Sequence, residues 1–127
     1  MKLESIAERL EGLSLGILRT QSIFIHSMPA ENTLGVILRE DYVGTAINNE
    51  MPGYVKGAFQ LIVRAGNYVD ALALSKNINT RLRQEGGVLP GISKLNYIRP
   101  TMEPYIFPRS PAGLWEASVK WECCYVE

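Results

Sequence analysis

Only one histidine, His26, is available for acid, base or metal chemistry, and Ser27 follows it directly. A Ser–His pair does acyl transfer only when the two side chains meet. Neighbours on an extended segment point apart, and no G-x-S-x-G elbow occurs, so the pair does not read as a serine hydrolase. Glu31, Glu40, Asp41 and Glu50 lie in or beside loops. They could chelate a cation, or Glu31 or Glu40 could serve a small enzyme together with His26. They lack the D-x-D-x-D-G order of a calcium loop and read first as solvated acids. Cys123 and Cys124 are the only cysteines. As adjacent residues they cannot readily bridge, and their spacing does not suit zinc. The glycine-containing stretches "GGVLPG" and "GNYVD" match neither a P-loop nor a dinucleotide turn. Lys76, Arg81 and Arg83 form a modest basic surface, read as a solvated helix face. A nucleic-acid adaptor built on Arg81 and Arg83 is the competing reading, and it predicts salt-sensitive retention on DNA.

The elements that must position these residues follow from periodicity. Leu3, Ile6, Ala7, Leu10 and Leu13 recur at helical spacing, which predicts a short amphipathic helix ended near Gly12. Ser22–His26 and Thr33–Arg39 read as strands, and the turn formers of "SMPAEN" between them predict a hairpin. Asp41–Lys56 has no steady period and reads as a long connection with a turn at "MPGY". The run "GAFQLIVRAGNY" then alternates: Phe59, Leu61, Val63 and Ala65 share the apolar face, and Gln60, Ile62 and Arg64 share the other. Asn67 stands at a helix cap position with Asp70 three residues on, and the helix is expected to run from Tyr68 to about Glu85, with Gly86 and Gly87 as the stop. Tyr68, Ala71, Leu72, Ser75, Ile78 and Leu82 form its apolar stripe.

Ile92–Pro100 reads as a strand. Four of the seven prolines fall in "RPTMEPYIFPRSP", which predicts an extended surface loop with neither helix nor central strand. In the last segment Trp115, Ala117, Val119, Trp121, Cys123 and Tyr125 alternate with Glu116, Ser118, Lys120, Glu122, Cys124 and Val126, a half-buried strand. That pattern assigns both tryptophans to the core and not to a base-stacking platform. One-sided strands and one-sided helices together predict an α+β fold. It has an antiparallel or mixed sheet, two helices packed on one face, and a single two-layer domain over residues 1–127. The other face, carrying Gln60, Arg64, Lys120 and Glu122, is left uncovered.

The totals agree with one globular unit. The chain has 127 residues, 46% of them hydrophobic and 20% charged, enough for a core and too few for two comfortable domains. Thirteen cations balance thirteen acids, so no long-range field draws it to nucleic acid or to an anionic membrane. Its apolar runs are too short to cross a bilayer, and "MKLESIAERLEG" is too charged for a secretory signal, which predicts cytoplasmic origin.

In element order, in the segment "MPGYVKGAFQLIVRAGNYVDALALSKNI" and in the closing P-x-G-x-W-E-x-S-V-x-W strand, the chain resembles the tail terminator, or minor capsid, proteins of long-tailed bacteriophages. The resemblance implies a virion protein assembled in the host cytoplasm, with no catalysis and no cofactor. It implies a ring, hexameric in that family, that caps the tail tube, ends its growth and joins it to head and neck proteins, with DNA passing through unrecognised and no membrane partner. Gln60, Arg64, Lys120 and Glu122 would then face the lumen or the next protomer. Asn49, Met51 and Tyr54 in one loop, and Tyr105, Phe107 and Arg109 in the other, would reach the tail tube or neck. Another neck or head-completion protein of the connector is the alternative.

Overall fold

The computed structural model describes residues 1–15, 22–29, 31–109 and 113–127. The elements run α1 (Leu3–Gly12), β1 (Ile23–Ile25), β2 (Gly35–Glu40), β3 (Tyr54–Ala65), α2 (Tyr68–Arg81), β4 (Gln84–Glu85), β5 (Lys94–Pro100), β6 (Tyr105–Arg109) and β7 (Leu114–Val126). The strands form one mixed sheet in the order β1-β2-β3-β7-β5-β4, and β6 also pairs with β7. This is the expected α+β arrangement.

β3 and β7 form its spine, antiparallel from Tyr54↔Val126 to Ala65↔Trp115. The other edge of β7 is shared end to end, by β5 along Trp121–Val126 and by β6 along Leu114–Ser118. The pleat sorts side chains as the alternation predicts. Phe59, Leu61, Val63 and Ala65 are buried with Ala117, Val119, Trp121 and Tyr125, and both helices press Leu3, Ile6, Leu10, Ala71, Ile78 and Leu82 onto that side. Phe59 and Trp121 are direct cross-strand partners, their rings stacked at 6.0 Å. Such a pair adds to the burial of both rings.

The caps and turns are those their residues favour. Asn67 is extended, and its side chain accepts a hydrogen bond from Asp70 N at 2.8 Å. At "MPGY", Tyr54 N donates to Met51 O at 3.0 Å and Gly53 takes φ +85°, the geometry that a Pro-Gly turn requires.

Three expectations are corrected. β1 and β2 run parallel, Ile23↔Val36 to Ile25↔Leu38, and do not form a hairpin. The chain turns at His26 (φ +72°) and crosses the second sheet face before entering β2. Met28 lies buried there with Ile37 and Ile62. Gly35 makes room for it, since a Cβ at that position would sit 2.8 Å from the Met28 methyl. Helix α2 ends at Arg81 and not near Glu85, because Arg9 of α1 donates to the Arg81 and Leu82 carbonyls and Gln84–Glu85 pairs with β5. Gly86 and Gly87 therefore turn the chain between β4 and β5 and do not cap the helix. The proline-rich segment contributes β6, whose Pro108 is tolerated because, among the described residues, the strand pairs with β7 alone. Residues 110–112 of that segment lie outside the described residues.

Replacing Asn67 by alanine should lower unfolding free energy by about 1 kcal/mol, and Asn67→Asp should retain most of it; urea melts of the two variants check this. Burial raises both the Cys123 thiol, from 9.0, and the Tyr125 hydroxyl, from 10.0, to about 12. The native state therefore favours the neutral forms, so this stabilisation is complete below about pH 9 and is lost as pH rises toward about 12. Urea midpoints should fall steadily over that range, and Tyr125→Phe should flatten the upper part of the slope.

Candidate assembly surface

On the face turned away from the helices, the register stacks side chains in rows across β2, β3, β7 and the outer strands. One row is Arg64–Glu116–Phe107, the next Ile37–Ile62–Ser118–Tyr105, and then come Arg39–Gln60–Lys120 and Ala58–Glu122–Arg99. Of the four residues read from the sequence, Gln60 and Lys120 are direct partners, and Glu122 stands two positions along β7.

Arg64 shares this face but departs from its expected surroundings. It is 3% exposed, and its charge is spent inside the protomer. Its Nε lies 3.1 Å from Glu116 Oε2, and one terminal nitrogen donates to the Pro29 carbonyl at 2.9 Å and to the Asn32 carbonyl at 3.3 Å. The crossing segment before β2 thus covers this end of the sheet. A planar, always-charged fork suits one buried carboxylate plus backbone oxygens, where an ammonium would not.

Ile37 and Ile62 of the next row lie under Met28, and the rows of Gln60–Lys120 and of Glu122–Arg99 stay open. Gln60 Nε2 donates to Ser118 Oγ at 2.8 Å, and Lys120 Nζ reaches Asp41 at 3.1 Å. Arg99 pairs with Glu122 and lies 4.0 Å over the Tyr97 ring. The Glu122 hydrogen bond raises the Arg99 pKa further. At the far end Cys124 Sγ and Tyr54 Oη lie 3.2 Å apart, and the hydrogen bond between them raises the Tyr54 hydroxyl. A groove of about 440 Å³ runs over the centre, lined by Arg39, Asp41, Tyr42, Gln60, Met102 and Lys120. Fixed charges around such a groove can orient a protein partner.

Two loops flank the groove. Residues 41–53 expose Tyr42 (98%), Ile47 (85%) and Met51 (52%). Asn48 Oδ1 accepts from Glu50 N and Met51 N, both at 3.1 Å, so the tip that carries Asn49 and Met51 is held in shape. On the other side Tyr105 is exposed with its ring 5.8 Å from Phe107, and Arg109 ends β6 opposite Leu114. Tyr42, Ile47 and Met102 escaped periodicity because loops have none. Their one sequence signal is large apolar residues in stretches that cannot bury them.

His26 sits exposed on its left-handed turn, and Glu40 faces the N-terminal ammonium at 3.5 Å. Among the described residues no three of His, Cys, Asp and Glu group as metal ligands, and no helix is long and apolar enough to cross a membrane.

The sheet is covered by helices on one side, and its other side is open and charged, with apolar side chains exposed at the loop tips. Residues 10–126 match the family described as bacteriophage tail terminator protein, and the chain belongs to that family. No curated protein sequence matches it. Membership makes it a structural component of a phage tail, assembled with other tail components in the virion.

Breaking the buried pair should be costly. Arg64→Ala removes the cation that pairs with Glu116 and donates to the Pro29 and Asn32 carbonyls, and should cost about 3–5 kcal/mol. Arg64→Met with Glu116→Leu should recover part of that loss, as read from urea midpoints with the slope unchanged.

Proposed function

We propose that this chain closes into a hexameric ring at the end of the tail tube, stops tube growth and carries the joint to the head and neck. Family membership over residues 10–126 is the observation that carries this reading. The open sheet face supports it. Gln60, Lys120 and Glu122 line the lumen or meet the adjoining protomer, while Arg64 acts within each protomer, holding the segment that shapes one end of that face. Asn49, Met51 and Tyr54, with Tyr105, Phe107 and Arg109 across the groove, contact tube or neck proteins.

The chain works by contact and uses no cofactor. DNA passes without specific recognition, in keeping with zero formal net charge and with Lys120 and Glu122 already engaged by Asp41 and Arg99. Assembly takes place in the host cytoplasm, and residues 1–127 act as one unit.

Tail tube protein polymerised with this chain present should give capped tubes of limited length, seen by electron microscopy, and without it overlong tubes. Lys120→Glu combined with Gln60→Lys should leave folding intact and lower the yield of infectious particles in complementation. Unchanged tube length on addition of the chain contradicts the capping role.

A further inference from the structure

We propose that the free edge of β3 at Tyr54–Ala58 takes up an extended segment of the tail tube protein as an added strand, with a carboxylate of that segment against Lys56. This inference rests on the capping reading and names the contact that holds the tube end.

β3 has 12 residues, and β7 accompanies all of them, whereas β2 pairs only from Phe59 to Arg64. The ladder fixes where the backbone groups beyond Phe59 aim. Val36 N donates to Ser22 O and Leu38 O accepts from His26 N, both on the β1 side. Ile37 and Arg39 therefore aim theirs at β3, where Ile62 and Gln60 are their direct partners. On β7 the carbonyls of Lys120 and Val126 accept from Thr101 N and Ser93 N, away from β3. Gln60 and Tyr54, which stand opposite them, thus aim away from β7, and Lys56 does the same by the period of two.

At Gln60 those groups meet β2; at Lys56 that strand has ended. No backbone group of residues 42–50 hydrogen-bonds to β3 among the described residues. A groove of about 480 Å³ runs instead between Tyr54 and Lys56 on one side and Ile47, Asn48 and Glu50 on the other. An unpaired row of donors and acceptors is satisfied by another extended chain about 4.8 Å away. On its far side such a strand would meet residues 46–50, so the ladder would end there and offer no edge to a further tube subunit.

Lys56 selects the occupant. It is exposed on the open face, and among the described residues it has no acid partner in its own chain. Antiparallel pairing of Tyr54–Ala58 with the same segment of a second copy would set Lys56 opposite Lys56, and like charges directly opposite destabilise a pair. A strand of a different protein with an acid at that place is favoured by the same lysine. The outer edge of β6 is blunted in another way, since Pro108 has no N–H to give.

Hydrogen exchange at single amides tests this, read by fragmentation mass spectrometry in the free chain, in the chain assembled alone and in the chain bound to ends of purified tail tubes. Lys56 N–H should exchange like a loop amide in the first two samples, beside protected Val55 and Gly57, and should slow by about a hundredfold on tube ends. Lys56→Pro removes only the N–H that aims into the groove, so it should fold and bind tube ends about tenfold more weakly. Lys56→Ala keeps that N–H and should bind better than the proline variant, and Lys56→Glu should bind worse than Lys56→Ala. Protection in the free chain assigns the groove to the chain's own loop, and protection in the chain assembled alone assigns it to a second copy; either overturns the proposal. So does protection that appears in whole virions but not on tube ends, which assigns the groove to a neck protein. Capped tubes in which Lys56 stays unprotected overturn the added strand and leave the capping reading standing. A chain that does not bind tube ends overturns the capping reading, and this contact with it.

Discussion

The antiparallel register of β3 on β7 is the constraint from which the other features follow. Twelve residues of β3, Tyr54 to Ala65, pair without interruption with Val126 to Trp115. A one-residue slip of β7 against β3 would move its whole side-chain set to the other face, placing Trp121 and Val119 in water and Lys120 and Glu122 in the core. Only registers an even number of residues apart keep the apolar residues of both strands in one layer, and the observed one also sets Phe59 against Trp121. The helices then have one place to go, because only one side of the sheet offers an apolar surface. α1 and α2 occupy that side, and the opposite side keeps its polar rows.

Arg64 shows how the open face is finished. A single arginine on a sheet could have been a lumen charge or an intersubunit partner. Its burial beside Glu116 and its bonds to Pro29 and Asn32 make it a clasp for the segment that brings β1 alongside β2. Such a clasp contributes little net energy relative to an apolar core, but it fixes where the segment crosses. One end of the face is thereby closed by the chain itself, with Met28, Ile37 and Ile62 beneath. The other end keeps its charges and its groove.

Much of this was legible in the residues. Alternation in β3 and β7 assigned the two faces residue by residue, Asn67 marked the start of α2, and Pro-Gly marked the turn into β3. Features that depend on contacts between distant residues were not legible. Nothing local in "SMPAEN" distinguishes a hairpin from a crossing, since the difference lies in Met28 fitting over Gly35 and in acceptors for Arg64. Nor does any signal near Leu82 reveal that Arg9, more than seventy residues earlier, takes up the last carbonyls of α2. Prolines argued against a strand at 105–109, yet an outer strand needs donors on one edge only. The surface was half readable: Gln60 and Lys120 follow from the pleat, whereas the groove between Tyr42 and Met102 arises from two loops with no period.

The sheet side is open, and its charges are mostly paired within the chain. The most direct test of the account is an electron cryo-microscopy reconstruction of the head-proximal tail end of the virion at side-chain resolution. The account predicts a closed ring of this chain with Gln60 and Lys120 toward the channel and α1 and α2 on the outside. A ring whose helices line the channel, or a tail end in which this chain forms no ring, would contradict it.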